Sequence, residues 1–273
     1  MSSDHDAYRP AEIAALIEEV GVAKARLPLG QMLTLAVLAG AFISFGAAGY
    51  LMVMTGADAG FGPQRLLGGI VFSLGLILVI VGGAELFTGN ALMVMAAVDG
   101  KIGLGALLRN WGVVYVGNLL GAVGVAGAFW LGGLTDGPLG QSAATVATAN
   151  AAGSALPWLV KGALCNALVC LAVWLSFSAR DTTGKILAIL WPISTFVLLG
   201  LEHSIANMFF FPPFLEGHGA FVCDQDLALS VRIRDFEPQV CWASGFSWTK
   251  VCMLPTPLPR RQLRLMWMVQ PVR

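Results

Sequence analysis

Residues 200–207 read Gly200-Leu201-Glu202-His203-Ser204-Ile205-Ala206-Asn207 and put a carboxylate and an imidazole inside an apolar segment of about residues 186–214. Ionisable groups are costly and rare at membrane depth, so each one raises a functional-site hypothesis. A second copy lies upstream, Gly83-Ala84-Glu85-Leu86-Phe87-Thr88-Gly89-Asn90, with Gly, Glu and Asn at the same three offsets. Two glycine-interrupted, acid-bearing hydrophobic segments in corresponding halves of a chain point to a transport site near the bilayer midplane.

The composition agrees with that setting. Of 273 residues, 57% are hydrophobic and only 12% charged, with a mean hydropathy of +0.76, against about a quarter charged in soluble domains. Formal net charge is zero and no basic run is long enough to suggest nucleic acid, so partners are sought in the lipid bilayer and among small solutes. Cys165 and Cys170 lie in an apolar run, where thiols are packing residues, and no C-x-x-C spacing occurs among the five cysteines. No disulfide, cofactor or metal is expected. Residues 1–28 lack the apolar core of a signal peptide and are expected to be retained.

Within residues 10–26, Ile13, Leu16, Ile17, Val20 and Ala23 recur at helical spacing, with Glu12, Glu18, Glu19, Lys24 and Arg26 placed elsewhere. This predicts an amphipathic surface helix, lying along the membrane face or against a neighbouring subunit. A first span follows over residues 29–54, longer than the roughly 20 residues a crossing requires. A second begins near Leu66, is interrupted by Gly82-Gly83 and Glu85, and resumes over residues 91–98. Irregular backbone at that depth survives only against protein or a water-lined cavity, so the break is expected to face inward. Residues 110–134 form a third span, in which Asn118 reads as a packing or loop-bracing amide. Residues 136–157, rich in Gly, Ala, Ser and Thr, read as a water-side linker joining the halves. A fourth span covers 162–178; a fifth starts near Ile186, carries Pro192 and breaks at Gly200 before a short continuation to Phe211. Lys101, Arg109, Arg180 and Lys185 flank the loops on one side, against Arg65 and Lys161 on the other, which places the N-terminus in the cytoplasm. Beyond Phe214 charged residues accumulate, and no apolar run in 216–273 is long enough to cross a bilayer. The chain thus divides into an amphipathic helix (1–28), a channel domain (29–215) and an atypical tail (216–273).

These motifs resemble the formate/nitrite transporter family over about residues 11–212. The resemblance rests on Ala39-Gly40-Ala41-Phe42-Ile43, the segments around Glu85 and His203, Asn110-Trp111, Gly117-Asn118-Leu119, and the run from Lys161 through Asn166 and Cys170 to Trp174. It implies an all-α membrane protein: an aquaporin-like inverted repeat of six spans with spans two and five broken, assembled as a homopentamer with one pore per subunit. Family members pass small monovalent anions such as formate, nitrite or hydrosulfide, and some move lactate with a proton. By the resemblance, Phe72 and Phe196 form the outer aromatic constriction, Leu76 and Leu86 belong to the inner one, and Thr88 with His203 is the polar pair between them. The family's sixth span carries a Gly-Asn motif echoing Gly117-Asn118, and residues 216–273 have none. One hypothesis for the change in composition is a reading-frame shift or sequence error beyond about Phe211; an unchanged frame in resequenced DNA through Arg273 removes it.

A bare anion loses its hydration in a dry neck. His203, with an ordinary imidazole pKa of about 6.5, can supply a proton that makes formate or nitrite neutral, or compensate the charge. Carboxylates on the path would repel the substrate, so Glu85 and Glu202 are read as bracing the broken loops by accepting hydrogen bonds from freed backbone amides. Thr88 can reach His203 or the anion, or cap the helix resuming at Gly89. Asn166 and Asn207 read as amides bracing the same backbone, and Lys161 as an anion attractor or a snorkelling interface lysine. An intramembrane hydrolase is disfavoured because His203 and Ser204 are sequence neighbours pointing apart. His5, His203 and His218 give no H-E-x-x-H spacing for a metal enzyme. Neither the paired pore histidines of ammonium channels nor two Asn-Pro-Ala turns of water channels occur. Hydrosulfide or proton-coupled lactate transport, and a non-conducting scaffold with an incomplete pore, stay open as alternatives.

Overall fold

The computed structural model describes residues 7–56, 59–151 and 154–210; the tail 216–273, and with it the question of a sixth span, lies outside them. All regular structure among the described residues is helical. The first helix, α1 (Pro10–Ala25), has Pro10 in its first turn, where a missing N–H costs nothing, and Glu12 accepts the Arg9 N–H at 2.7 Å. Part of its apolar stripe is buried against the chain itself. Ile13 and Ile17 pack with Met95, Trp174 and Phe177 of the same chain, and Ala25 packs with Met93 and Leu107.

Among the described residues four helices are long and apolar enough to cross a bilayer: α2 (Leu29–Met54), α3 (Phe61–Gly82), α5 (Leu104–Leu131) and α7 (Ala155–Ser178). Two short helices, α4 (Val94–Val98) and α9 (Ser204–Phe210), and the 17-residue α8 (Thr182–Leu198) complete the two interrupted spans. α2 lies between α3 and α5, α3 packs on α8, and α8 on α7. Small residues set these contacts, as expected where lipid offers no hydrophobic drive to helix association. A Cβ added at Gly40 would stand 2.0 Å from the Asn118 carbonyl oxygen, and one at Gly121 2.0 Å from that of Val37, so the α2 and α5 backbones touch.

The linker expected over 136–157 is instead mostly helix, α6 (Pro138–Ala151). Leu139 and Ala143 are buried in the main core with Val146 and Ala147 against it, and the Thr55 and Ser142 hydroxyls lie 2.8 Å apart. Small side chains lowered the apparent hydrophobicity of that stripe without removing its helical period.

The basic residues that oriented the chain converge on the end that carries α1. Lys101 pairs with Glu18, which holds its ammonium above the usual pKa. Arg109 donates to the Leu27 carbonyl at 3.3 Å, Arg180 stacks 4.3 Å over Tyr8, and Lys185 shares a cavity with α1.

Candidate functional site

Both interruptions begin at a glycine in left-handed backbone. Gly83 (φ 74°) ends α3 and Gly200 (φ 66°) ends α8, conformations that other residues adopt only with strain. After the first break, the freed amides find carbonyls and one side chain. Glu85 N–H reaches the Leu35 carbonyl at 3.2 Å, and Phe87 N–H reaches Asn118 Oδ1 at 2.9 Å. Asn118, fully buried on α5, also donates to the carbonyls of Ala36 (2.8 Å) and Glu85 (2.9 Å). The brace of this loop is therefore Asn118, and the sequence reading of its amide holds.

Glu85 does not hold backbone amides as expected. Its carboxylate takes an ion pair from Lys24 at 2.9 Å and a hydrogen bond from Asn90 Nδ2 at 2.8 Å. Asn90 in turn accepts from Lys24 at 2.8 Å and donates to Asn110 Oδ1 at 2.9 Å, while Trp111 Nε1 donates to the Asn90 carbonyl at 3.0 Å. A buried carboxylate needs a counter-charge, and a lysine supplies one that backbone amides cannot. Lys24 was missed because it was placed off the apolar stripe. It follows buried Gly21 by three residues, on the stripe's own face.

After the second break, His203 Nδ1 accepts the Ala206 N–H at 3.1 Å and so caps α9. A neutral imidazole has one donor and one acceptor nitrogen, so the proton belongs on Nε2, which points at Thr88 Oγ1 at 3.4 Å. Thr88 makes no side-chain cap to the turn that follows it; its hydroxyl faces His203 instead. Phe196 stacks on the imidazole (5.7 Å between ring centres, 17° between planes), and Phe72 stands edge-on to both rings at 5.5 and 6.2 Å. Phe72, Phe196, Thr88 and His203 are each no more than 5% exposed. Buried Leu76 and Leu86 wall a cavity of about 410 Å³ toward the α1 end, shared with Lys24, Glu85, Phe177 and Lys185.

Glu202 likewise holds side chains rather than backbone. Asn207 Nδ2 donates to it at 3.3 Å, and Lys161 Nζ stands 3.9 Å from its other oxygen. Lys161 is half exposed and ion-paired. Asn207 also accepts from Asn150 of α6 at 3.0 Å, a partner concealed by the linker reading. Asn166 donates to Cys170 Sγ at 3.7 Å, one helical turn along α7.

The family description "Formate/nitrite transporter" matches residues 11–246. The chain belongs to this family. The match extends past the motifs that end near residue 212. The formate channel FocA of Escherichia coli K12 is 38% identical over 254 residues, covering 92% of this chain and 81% of that protein. A probable formate transporter of Methanothermobacter thermautotrophicus is 42% identical over 224 residues, covering 74% of this chain and 81% of that one. Of solved structures, a pentameric formate channel with formate bound superposes with a TM-score of 0.63 at 38% identity, covering 79% of this chain and 80% of that one. An FNT family ion channel gives 0.75 at 30% identity, covering 86% and 95%. As a formate/nitrite transporter family member the chain is a multi-pass membrane protein and not an enzyme.

Proposed function

We propose that this protein is a membrane channel for small monovalent anions, formate or nitrite, with formate first. The observation that carries the reading is the Thr88–His203 pair, two buried hydrogen-bonding side chains 3.4 Å apart with Phe72 and Phe196 packed around the imidazole. The names of its relatives support formate as substrate and a homopentamer as assembly. The reading includes six spans in an inverted repeat, a cytoplasmic N-terminus, and a division at residues 28 and 215 with the tail in place of a recognisable sixth span.

An anion entering from the leucine-lined cavity or past Phe72 and Phe196 leaves most of its water behind. The two groups that meet it are the Thr88 hydroxyl and the His203 Nε2–H, both donors. A donor pair lowers the cost of burying a carboxylate without a fixed charge. Full protonation of His203 puts a hydrogen on Nδ1 and displaces the Ala206 N–H from its acceptor, so the positive state costs the α9 cap. Charge compensation or proton transfer therefore belongs to the moment when an anion is present to balance that loss. Protons are in this sense a second passenger. Glu85 and Glu202 stay off the path because side-chain donors hold them, Asn207 and Asn166 line its walls, and Lys161 offers positive potential at the outer mouth.

Purified protein in lipid vesicles tests the reading. Formate uptake well above that of empty vesicles, with sulfate excluded, is expected; formate uptake no faster than in empty vesicles contradicts it.

A further inference from the structure

Asn150, at the C-terminal end of α6, reaches the site through two hydrogen bonds in series. Its Nδ2 donates to Asn207 Oδ1 at 3.0 Å, and Asn207 Nδ2 donates to Glu202 Oε2 at 3.3 Å. The directions are dictated by chemistry. An ionised carboxylate only accepts, so Asn207 must turn its amino group to Glu202, and its oxygen then needs a donor on the other side. Asn150 is that donor. Lys161 stands 3.9 Å from the second Glu202 oxygen, beyond hydrogen-bond length. Among the described residues the Asn207 amide is the group hydrogen-bonded to that carboxylate. Glu202 adjoins His203 in sequence, and His203 and Asn207 share α9 and its cap: the Asn207 N–H donates to the His203 carbonyl at 3.0 Å. α6 is a firm support, with Leu139 and Ala143 in the core and Ser142 against Thr55.

We propose that Asn150 is a positioning residue that acts through Asn207 to hold the Glu202 carboxylate clear of the anion path beside His203. The segment joining the two halves thereby becomes part of the pore wall. The effect on flux rests on the anion-channel reading; the effect on Glu202 does not.

Asn150→Asp is the discriminating change. Aspartate cannot donate to the Asn207 oxygen, and if the amide turns to donate to the aspartate, its oxygen faces Glu202. Either way two oxygens oppose each other unless Glu202 takes a proton or moves. Asn150→Leu only removes the donor. The full-length protein in vesicles is treated with dicyclohexylcarbodiimide, which modifies protonated carboxyl groups in apolar surroundings, and labelling of Glu202 is followed by peptide mapping. A rise of about tenfold in Asn150→Asp, the weight of one hydrogen bond to a charged group, with a smaller rise in Asn150→Leu, is expected. Formate flux falls by a similar factor in Asn150→Asp. It returns in Asn150→Asp/Glu202→Gln to the level of Glu202→Gln alone, because the glutamine amide can donate to the turned Asn207. Unchanged Glu202 labelling in both single variants overturns the proposal, and so does a double variant as slow as Asn150→Asp, which would show a direct charge effect. If Asn150→Asp does not fold, the labelling of Asn150→Leu decides. If the wild type carries no formate, the proposed function fails while the labelling still decides the role of Asn150.

Discussion

Replacing Asn118 with alanine should strip the first break of the side chain that braces its backbone. Its side chain is fully buried and makes three hydrogen bonds, to the carbonyls of Ala36 and Glu85 and from the Phe87 N–H. Ala36, Glu85 and Phe87, which carry these backbone groups, are all buried. At about 1–3 kcal/mol for each buried group left unpaired, the Phe87 N–H and the Glu85 carbonyl sum to about 2–6 kcal/mol, the Ala36 carbonyl keeping its place inside α2, and relaxation of the loop pulls the cost toward the lower end. For a chain of this size about 3 kcal/mol corresponds to a fall of roughly 6–12 °C in the unfolding midpoint. Asn118→Asp keeps the acceptor for Phe87 but sets carboxylate oxygens against two carbonyls, so it should be at least as damaging as alanine. The assay is the fraction of detergent-solubilised oligomer that survives graded heating, read by size-exclusion chromatography. An alanine variant whose midpoint lies within about 2 °C of wild type, below the effect of 1 kcal/mol, would refute the argument that Asn118 is the brace.

Gly40→Ala and Gly121→Ala each put a Cβ 2.0 Å from a carbonyl oxygen of the facing helix; each should abolish recovery of folded protein, and near-normal yield of either would show that α2 and α5 can separate freely. Lys24→Met removes the counter-ion of buried Glu85 and should cost about 3–5 kcal/mol, most of it recovered in Lys24→Met/Glu85→Gln; equal heat stability of the two variants would contradict an ion-pair origin. In a cysteine-free background, cysteines at the exposed Gln141 and Thr183 should react with impermeant reagents from outside and from the cytoplasm respectively. The reverse pattern would invert the orientation.

The spans, both breaks and the residues around His203 were legible because each leaves a mark within one segment. A run of apolar residues fixes a crossing, and a glycine beside an acid at membrane depth marks an interruption. The partners of the acids left no such mark. Lys24 and Glu85 are far apart in sequence, and nothing local says that a lysine on a surface helix turns inward to a carboxylate in the bilayer. The α6 helix was hidden differently. Its core contacts come from Leu139, Ala143, Val146 and Ala147, at helical spacing but too small or too weakly apolar to stand out among serines, threonines and glycines. Missing α6 also hid Asn150, and with it the outer half of the hydrogen-bond chain that ends at Glu202. The resemblance brought Phe72, Phe196, Thr88 and His203 to one place, and the structure adds that the Ala206 N–H determines which imidazole nitrogen faces Thr88.

The direct test of the account is formate uptake into vesicles by His203→Asn, measured across about pH 5–8, where the account has the imidazole take up a proton only with an anion beside it, after intact oligomers have been confirmed. Asparagine keeps approximate size and a hydrogen-bonding group but cannot titrate there. The account predicts that uptake loses its pH dependence and that inward weak-acid uptake falls to a small residue. Wild-type rate with the wild-type pH profile in His203→Asn would contradict it and leave His203 a structural imidazole capping α9.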